Sequence, residues 1–232
     1  MTNVNMEHKK KYPRTYHLPW SQTVASDDKR LLSTDCFSGK EVQISIKKDG
    51  EQTGMYSDYM HARSLNSKHN FTRDWAKKMH SILKFDIPEG WIFSFENLAY
   101  YHSIEYNDLE SFCYLLNIWK DDGFCLHQDE VDEYAQKLDL AQPEVLYRGI
   151  YDENIISKLH LDKNIIDLEK EEGYVIRTVE PFHRDNFQQH VAKFVRANHV
   201  QPTQNGEDEH WLKRTYPNKL SKTKPVKPFY MG

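Results

Sequence analysis

No stretch of about 18 consecutive apolar residues occurs in the 232-residue chain, so no transmembrane helix is expected. The opening, Met1 to Lys11, is polar and then basic and lacks the apolar core of a secretory signal. Cysteine is scarce: Cys36, Cys113 and Cys125 form an odd set without CxxC spacing. That argues against a disulfide framework or a cysteine-held zinc and points to a reducing cytoplasm. The 12 histidines include no HExxH and no pair at zinc-binding spacing. Neither GxGxxG nor a Walker GxxxxGK[ST] is present, so a nucleotide would not be held by a glycine-rich loop. The net charge of −4 gives no bulk attraction to nucleic acid. Polynucleotide contact would have to come from a local basic surface.

Aromatic residues, by contrast, are plentiful: 14 Tyr, 11 Phe and 5 Trp support a packed globular core. Residues 1–11 read as a flexible lead-in, and Lys11 to Trp20 as an ordered loop punctuated by Pro13 and Pro19. Val42, Ile44 and Ile46 alternate with polar neighbours, the period of a half-buried strand. Asp49-Gly50 supplies a turn, and a second strand resumes at Thr53 to Tyr56. Trp75, Met79, Ile82 and Leu83 have helical spacing, with Thr72 as the expected cap. Trp91 to Phe95 and Phe112 to Trp119 read as buried strands. A second helix runs through Val131 to Leu138 with Asp129 and Glu130 in its first turn. Ile155, Ile156 and Leu159 suit a short third helix, and Gly173 to Thr178 a strand. The segment around Ala192 to Phe194 fits a helix end or a strand start equally. From Pro202 to Gly232 the chain is polar and basic and is expected to wrap the surface or stay mobile. Strands and helices interleave without a βαβ rhythm, which predicts one mixed α+β domain over residues 1–232.

The chemistry centres on Ile46-Lys47-Lys48-Asp49-Gly50-Glu51. A lysine amine is a nucleophile once deprotonated, and Lys48 and a divalent cation are the candidates for lowering the Lys47 pKa. Alone, the Lys47–Gly50 pattern more often marks a surface turn with solvated lysines. His61-Ala62-Arg63-Ser64 follows it. Next come Ser94 to Leu98, Asn117-Ile118-Trp119, Glu172 to Arg177 and Val191 to Arg196. His127 to Glu130 offers metal-ligand types, but a helix start explains it better. His61 is balanced between a phosphate contact and a packing role. Tyr100, Tyr101 and Tyr106 suit core packing more than base stacking.

In this order the segments resemble the nucleotidyl-transferase motifs of covalent lysyl-AMP ligases. The similarity is greatest to the ATP-dependent RNA ligase family that includes the bacteriophage type-2 RNA ligases and related bacterial enzymes. It runs from about Lys11 to Trp211, and the Lys11 to Thr15 and Asp208 to Trp211 stretches look like the bacterial branch. The resemblance implies an adenylyltransferase domain of antiparallel sheets flanked by helices, with the nucleotide between them. It further implies ATP as cofactor, Mg²⁺ or Mn²⁺ as cation, and RNA 5′-phosphate and 3′-hydroxyl ends as substrates in RNA repair. Lys47 would form the phosphoramide with AMP. The backbone near Ile46 would read the adenine edge, and Arg63 would touch the AMP ribose-phosphate and help place the 5′-phosphate end. Glu96 would hold the ribose hydroxyls, and a side chain of Leu116 to Trp119, such as Trp119, would stack on adenine. Glu172 would help hold the metal. Lys193, with Arg196, would contact the α-phosphate.

Three positions depart from the family pattern: Ile46 stands where an acid is common, Gln52 where a small amide is common, and Val195 where a second lysine is usual. The larger members carry a separate polynucleotide-engaging domain, for which only the tail and the N-terminal segment remain here. An RNA-binding or end-healing partner protein is therefore expected. A DNA ligase, a capping-type nucleotidyltransferase, a protein-modifying AMP transferase and a non-catalytic RNA-binding module remain open alternatives.

Overall fold

Alternation of apolar and polar side chains divides this chain into two sheets with a cleft between them. The computed structural model describes residues 9–24, 28–199 and 216–232. In chain order the strands are β1 (Tyr16–His17), β2 (Glu41–Lys47), β3 (Glu51–Met55), β4 (Met60–Ala62), β5 (Ile92–Asn97) and β6 (Cys113–Trp119). They continue as β7 (Phe124–Cys125), β8 (Val145–Ile150), β9 (Gly173–Thr178), β10 (Phe182–His183) and β11 (Val191–Val195). The α-helices are α1 (Asp74–Leu83), α2 (Gln128–Lys137) and α3 (Glu153–Ile156). One sheet has the order β1-β11-β9-β2-β8 and the other β10-β7-β6-β5-β3-β4. Neighbouring strands are antiparallel except β1, which runs parallel to β11. The mixed α+β architecture is therefore the one the sequence predicts.

In β2, Val42 and Ile44 are fully buried and pack with Leu18, Phe37, Tyr174 and Phe194. Burying each such side chain contributes about 1.5–3 kcal/mol. The intervening Gln43, Ser45 and Lys47 are turned to the cleft. Strand β9 repeats the division, with Tyr174 and Ile176 in the core and Val175 and Arg177 on the cleft. In the second sheet Phe93, Phe95, Leu115 and Ile118 pack on Met79 and Leu83 of α1 and Val131 and Ala135 of α2.

A bulge in β6 changes which residues face the cleft. Ser94 pairs with Asn117 and Phe95 with Leu115, so Leu116 has no partner in the register. An extra residue shifts the side-chain phase of a strand. Leu115 and Ile118, three apart, both reach the core, and Leu116 and Asn117 line the cleft.

Several local expectations need correction. Thr72 does not cap α1: the Asn70 side chain accepts from Thr72 N at 3.0 Å and opens a short 3₁₀ turn, Phe71–Arg73, that feeds the helix. Strand β8 escapes prediction because its residues follow no apolar period and Val145 and Ile150 are exposed at a sheet edge. The segment before β11 resolves as a 3₁₀ turn, Arg184–Gln189, followed by strand. Residues 216–232 are not a loose tail. Leu220, Val226 and Met231 pack on the second sheet and its loops, and Lys219, Lys224 and Lys227 pair with Glu105, Asp108 and Glu110. Residues 1–8 and 202–215, with the Asp208 to Trp211 stretch, lie outside the described residues. His127 to Glu130 is a helix start: the Asp129 N–H donates to His127 Nδ1 and the His127 N–H to Glu130 Oε2.

Two short crossings join the sheets at the cleft. Residues 48–50 carry the chain from β2 to β3, and residues 179–181 carry it from β9 to β10.

Candidate active site

The cleft has a volume of about 560 Å³ and takes its walls from both sheets. Lys47 stands at one end of it, where β2 stops and the chain turns into the second sheet. The turn needs glycine because a Cβ at Gly50 would lie 2.5 Å from Asn97 O and 2.6 Å from Leu98 Cδ2. The Gly50 N–H donates to Glu96 Oε1 at 3.1 Å, which ties the turn to β5. Asp49 is buried and held by one oxygen. Its Oδ2 accepts from Ser103 N (2.8 Å), Ser103 Oγ (2.6 Å) and Ile104 N (3.0 Å), and Oδ1 remains toward His199. Burial works against the Asp49 charge, but the Ser103 hydrogen bonds hold its carboxyl below the usual range.

Lys47 Nζ lies 2.5 Å from Glu172 Oε2. Burial favours the neutral amine, yet the carboxylates of Glu172, Glu96 and Asp49 outweigh it and raise the Lys47 pKa. Desolvation pushes Glu96 in the other direction for an acid, up to about 7, although Lys47 opposes the shift. Lys48 does not face Lys47 as expected: it pairs with Glu171 at 2.6 Å and lies over the Tyr106 ring. In the ligand-free protein Lys47 is thus an ammonium, held so by acids.

Glu172 immediately precedes β9. Gly173 permits this because a Cβ there would sit 2.0 Å from Phe194 O, closer than any side chain can be. His199 Nε2 is 3.5 Å from Glu172 Oε1 and 3.8 Å from Asp49 Oδ1. Ligand atoms of Asp49, Glu172 and His199, all buried, lie within 4.8 Å of one another. Two carboxylates and an imidazole whose pKa is lowered by burial suit a divalent cation. Sequence reasoning found Glu172 alone, since His199 reaches the cluster only through the fold.

Lys193 projects from β11 into the cleft and is held by Asp28 at 2.6 Å. Asp28 in turn meets His17 Nε2 at 2.9 Å, and His17 Nδ1 meets Ser21 Oγ at 2.8 Å. Burial lowers the Lys193 pKa even though Asp28 opposes it, and burial beside Lys193 takes His17 down to about 4. Asp28 had no signal in the sequence.

Arg63 is exposed on the cleft lining, and Glu96 and Ile46 line it too. The Ile46 N–H is already used, donating to Glu144 O at 2.9 Å. Trp119 is not on the lining. It is 2% exposed and packs edge-on to Tyr12 and Phe182 in the aromatic cluster between the sheets. The bulge leaves Leu116 as the apolar side chain of that segment facing the cleft, with Val175 on the opposite sheet. Arg196 also stays off the lining and donates its N–H to Glu172 O at 3.0 Å. His61 is 1% exposed, lies against Gly54 and is absent from this lining, so it packs.

The family model described as RNA ligase matches residues 40–195, about two thirds of the chain. The chain belongs to the RNA ligase family. Solved RNA ligase structures share the fold. An archaeal ATP-dependent RNA ligase superposes with a TM-score of 0.56 at 10% identity, covering 81% of this chain and 48% of that one. A Naegleria gruberi RNA ligase variant with AMP and Mn gives 0.52 at 16% identity over 83% of this chain and 57% of that one. The Naegleria gruberi RNA ligase with PPi gives 0.50 at 15% identity, covering 85% and 62%. This RNA ligase family member thus spans about half to three fifths of the length of the ligases it superposes on. No curated protein matches the chain. No helix among the described residues is long and apolar enough to cross a membrane.

Proposed function

We propose that the chain is the nucleotidyltransferase domain, over residues 1–232, of an ATP-dependent RNA ligase that joins 5′-phosphate and 3′-hydroxyl ends in RNA repair. The observation that carries this reading is Lys47 itself: a lysine held at one end of an inter-sheet cleft, with Lys193 and Arg63 on the same lining. Lys47 Nζ would attack the α-phosphorus of ATP. The N–P bond forms, the bond from that phosphorus to the bridging oxygen breaks, and pyrophosphate leaves with the electron pair. Lys47 must first lose a proton, which the surrounding carboxylates resist. Bound Mg²⁺ or Mn²⁺ fits the Asp49–Glu172–His199 donor set and supplies charge there that offsets the carboxylates.

Lys193 offsets charge on the α-phosphate by exchanging Asp28 for it, and Glu96 meets the ribose hydroxyls. A 5′-phosphate oxygen, guided by Arg63, then bonds the α-phosphorus while the N–P bond breaks and Lys47 regains a proton. Finally a 3′-hydroxyl attacks the activated 5′-phosphate, loses its proton and expels AMP. An end-healing or RNA-binding protein is the partner this scheme calls for.

Incubation with α-labelled ATP and Mg²⁺ or Mn²⁺ tests the reading. Wild type should become covalently labelled, Lys47→Ala should not, and 5′-phosphorylated RNA should remove the label. A wild-type chain that stays unlabelled with both cations refutes it. Labelled GTP and DNA ends in parallel separate the capping and DNA-ligase alternatives.

A further inference from the structure

The end of the cleft farthest from Lys47 holds two buried polar atoms that no protein group satisfies. Arg177 is 7% exposed, and its Nε and Nη2 donate to the carbonyls of Thr178 and Leu126, while Nη1 has no partner. Asn117 is 3% exposed; its Nδ2 donates to Tyr12 Oη at 2.8 Å, while Oδ1 has no partner. Arg177, Asn117 and Tyr12 all line the cleft. A buried donor or acceptor left unpaired is costly, so such atoms mark where a ligand completes the hydrogen bonding.

Strand register fixes how far these atoms lie from the nucleophile. Side chains on the first sheet form successive rows: Lys47 beside Gly173, then Ser45 beside Val175 and Lys193, then Gln43 beside Arg177 and Val191. Arg177 is four strand positions beyond Gly173, about 13 Å along β9, with Val175 midway. An AMP joined to Lys47 and lying along this floor passes its phosphate by Lys193 and its base over Val175, between that side chain and Leu116. The outer edge of the base then meets Arg177 and Asn117. With the Ile46 N–H committed to Glu144, side chains rather than that backbone group are left to read the base.

We infer that Arg177 and Asn117 select adenine, a conclusion that rests on the nucleotide reading of the cleft. Arg177 Nη1 donates to a purine ring nitrogen, and Asn117 Oδ1 accepts from the exocyclic amine beside it. Adenine presents that acceptor next to a donor, whereas guanine presents N7 and O6, two acceptors. O6 would face Asn117 Oδ1 with no proton between them.

Calorimetric titration of the full chain, freed of bound AMP by pyrophosphate, tests the inference with AMP, GMP, 1-deaza-AMP and 7-deaza-AMP. Loss of a hydrogen bond from a charged donor should weaken one of the two deaza analogues by roughly 10- to 100-fold. GMP should be weakened at least as much, and Arg177→Met should bind AMP and that analogue alike. Equal binding of AMP, GMP and both analogues overturns the inference and leaves the nucleotide cleft standing, with water on the two atoms. Failure of every nucleotide to bind overturns both. Should Arg177→Met fail to fold, the analogue series on wild type decides the matter.

Discussion

Removing the Lys47 charge should destabilise the ligand-free protein by an amount that grows with pH. Lys47 and Glu172 meet at 2.5 Å with side chains 22% and 4% exposed, and Asp49 and Glu96 add to the same negative field. Lys47→Met leaves Glu172 buried among acids. One-sided loss of a buried pair costs roughly 3–5 kcal/mol. Glu172 can limit that cost by taking a proton, at about 1.4 kcal/mol per pH unit. The wild-type Lys47 pKa is raised above 10.5, so its stabilising charge is complete below that value and is lost only as pH climbs through the higher folded value. Between about pH 5 and pH 8 it is constant. Glu96, raised from 4.5 to about 7, makes folding weaken as pH rises through that window in both chains. The variant carries an additional proton-dependent term, so its deficit against wild type should be small near pH 5 and reach on the order of 3 kcal/mol near pH 8. Urea unfolding at both pH values without divalent cation measures it. The double variant Lys47→Met/Glu172→Gln should recover much of the loss. A single variant as stable as wild type near pH 8, or a double variant weaker than the single, refutes the reasoning.

Two further outcomes follow from the cleft walls. Trp119→Ala should cost about 3–5 kcal/mol in unfolding experiments because it empties the aromatic cluster, while Leu116→Ala should weaken AMP binding several-fold with little change in melting temperature; the reverse pattern would return Trp119 to the base. Asp28→Asn removes the carboxylate at hydrogen-bond distance from Lys193, so pyrophosphate should bind about tenfold more tightly by calorimetry; unchanged binding would show that Asp28 does not compete with phosphate.

The strands that flank the cleft were legible because one face of each is apolar. Val42, Ile44 and Ile46 announce β2, and the polar alternation between them places Lys47 on the open face. Where a bulge intervenes, period alone misleads. Leu116 and Trp119 differ by three positions, and the unpaired Leu116 decides which of them meets the cleft. Strand β8 carries no period because its edge position leaves Val145 and Ile150 in water. The lysines of 219–227 advertised a solvated tail, yet the apolar residues between them anchor it. Lys47, Glu96, Glu172 and Lys193 lie in recognisable segments and do converge on the cleft. Asp28, His199 and Arg177 owe their places to long-range packing that no local pattern carries.

The two short crossings lie at opposite ends of the cleft. Residues 48–50 bind the sheets together beside the nucleophile, and residues 179–181 bind them just past Arg177. A slot stitched at both ends behaves as a ruler. The sheets can breathe sideways to admit a ligand, but the span from Lys47 to the inner wall is set by the number of residues in β2 and β9. Lengthening both strands by one pleat would leave each side chain on its proper face and yet put the wall out of reach of anything attached to Lys47. The strand length itself is thus a determinant of which ligand fits.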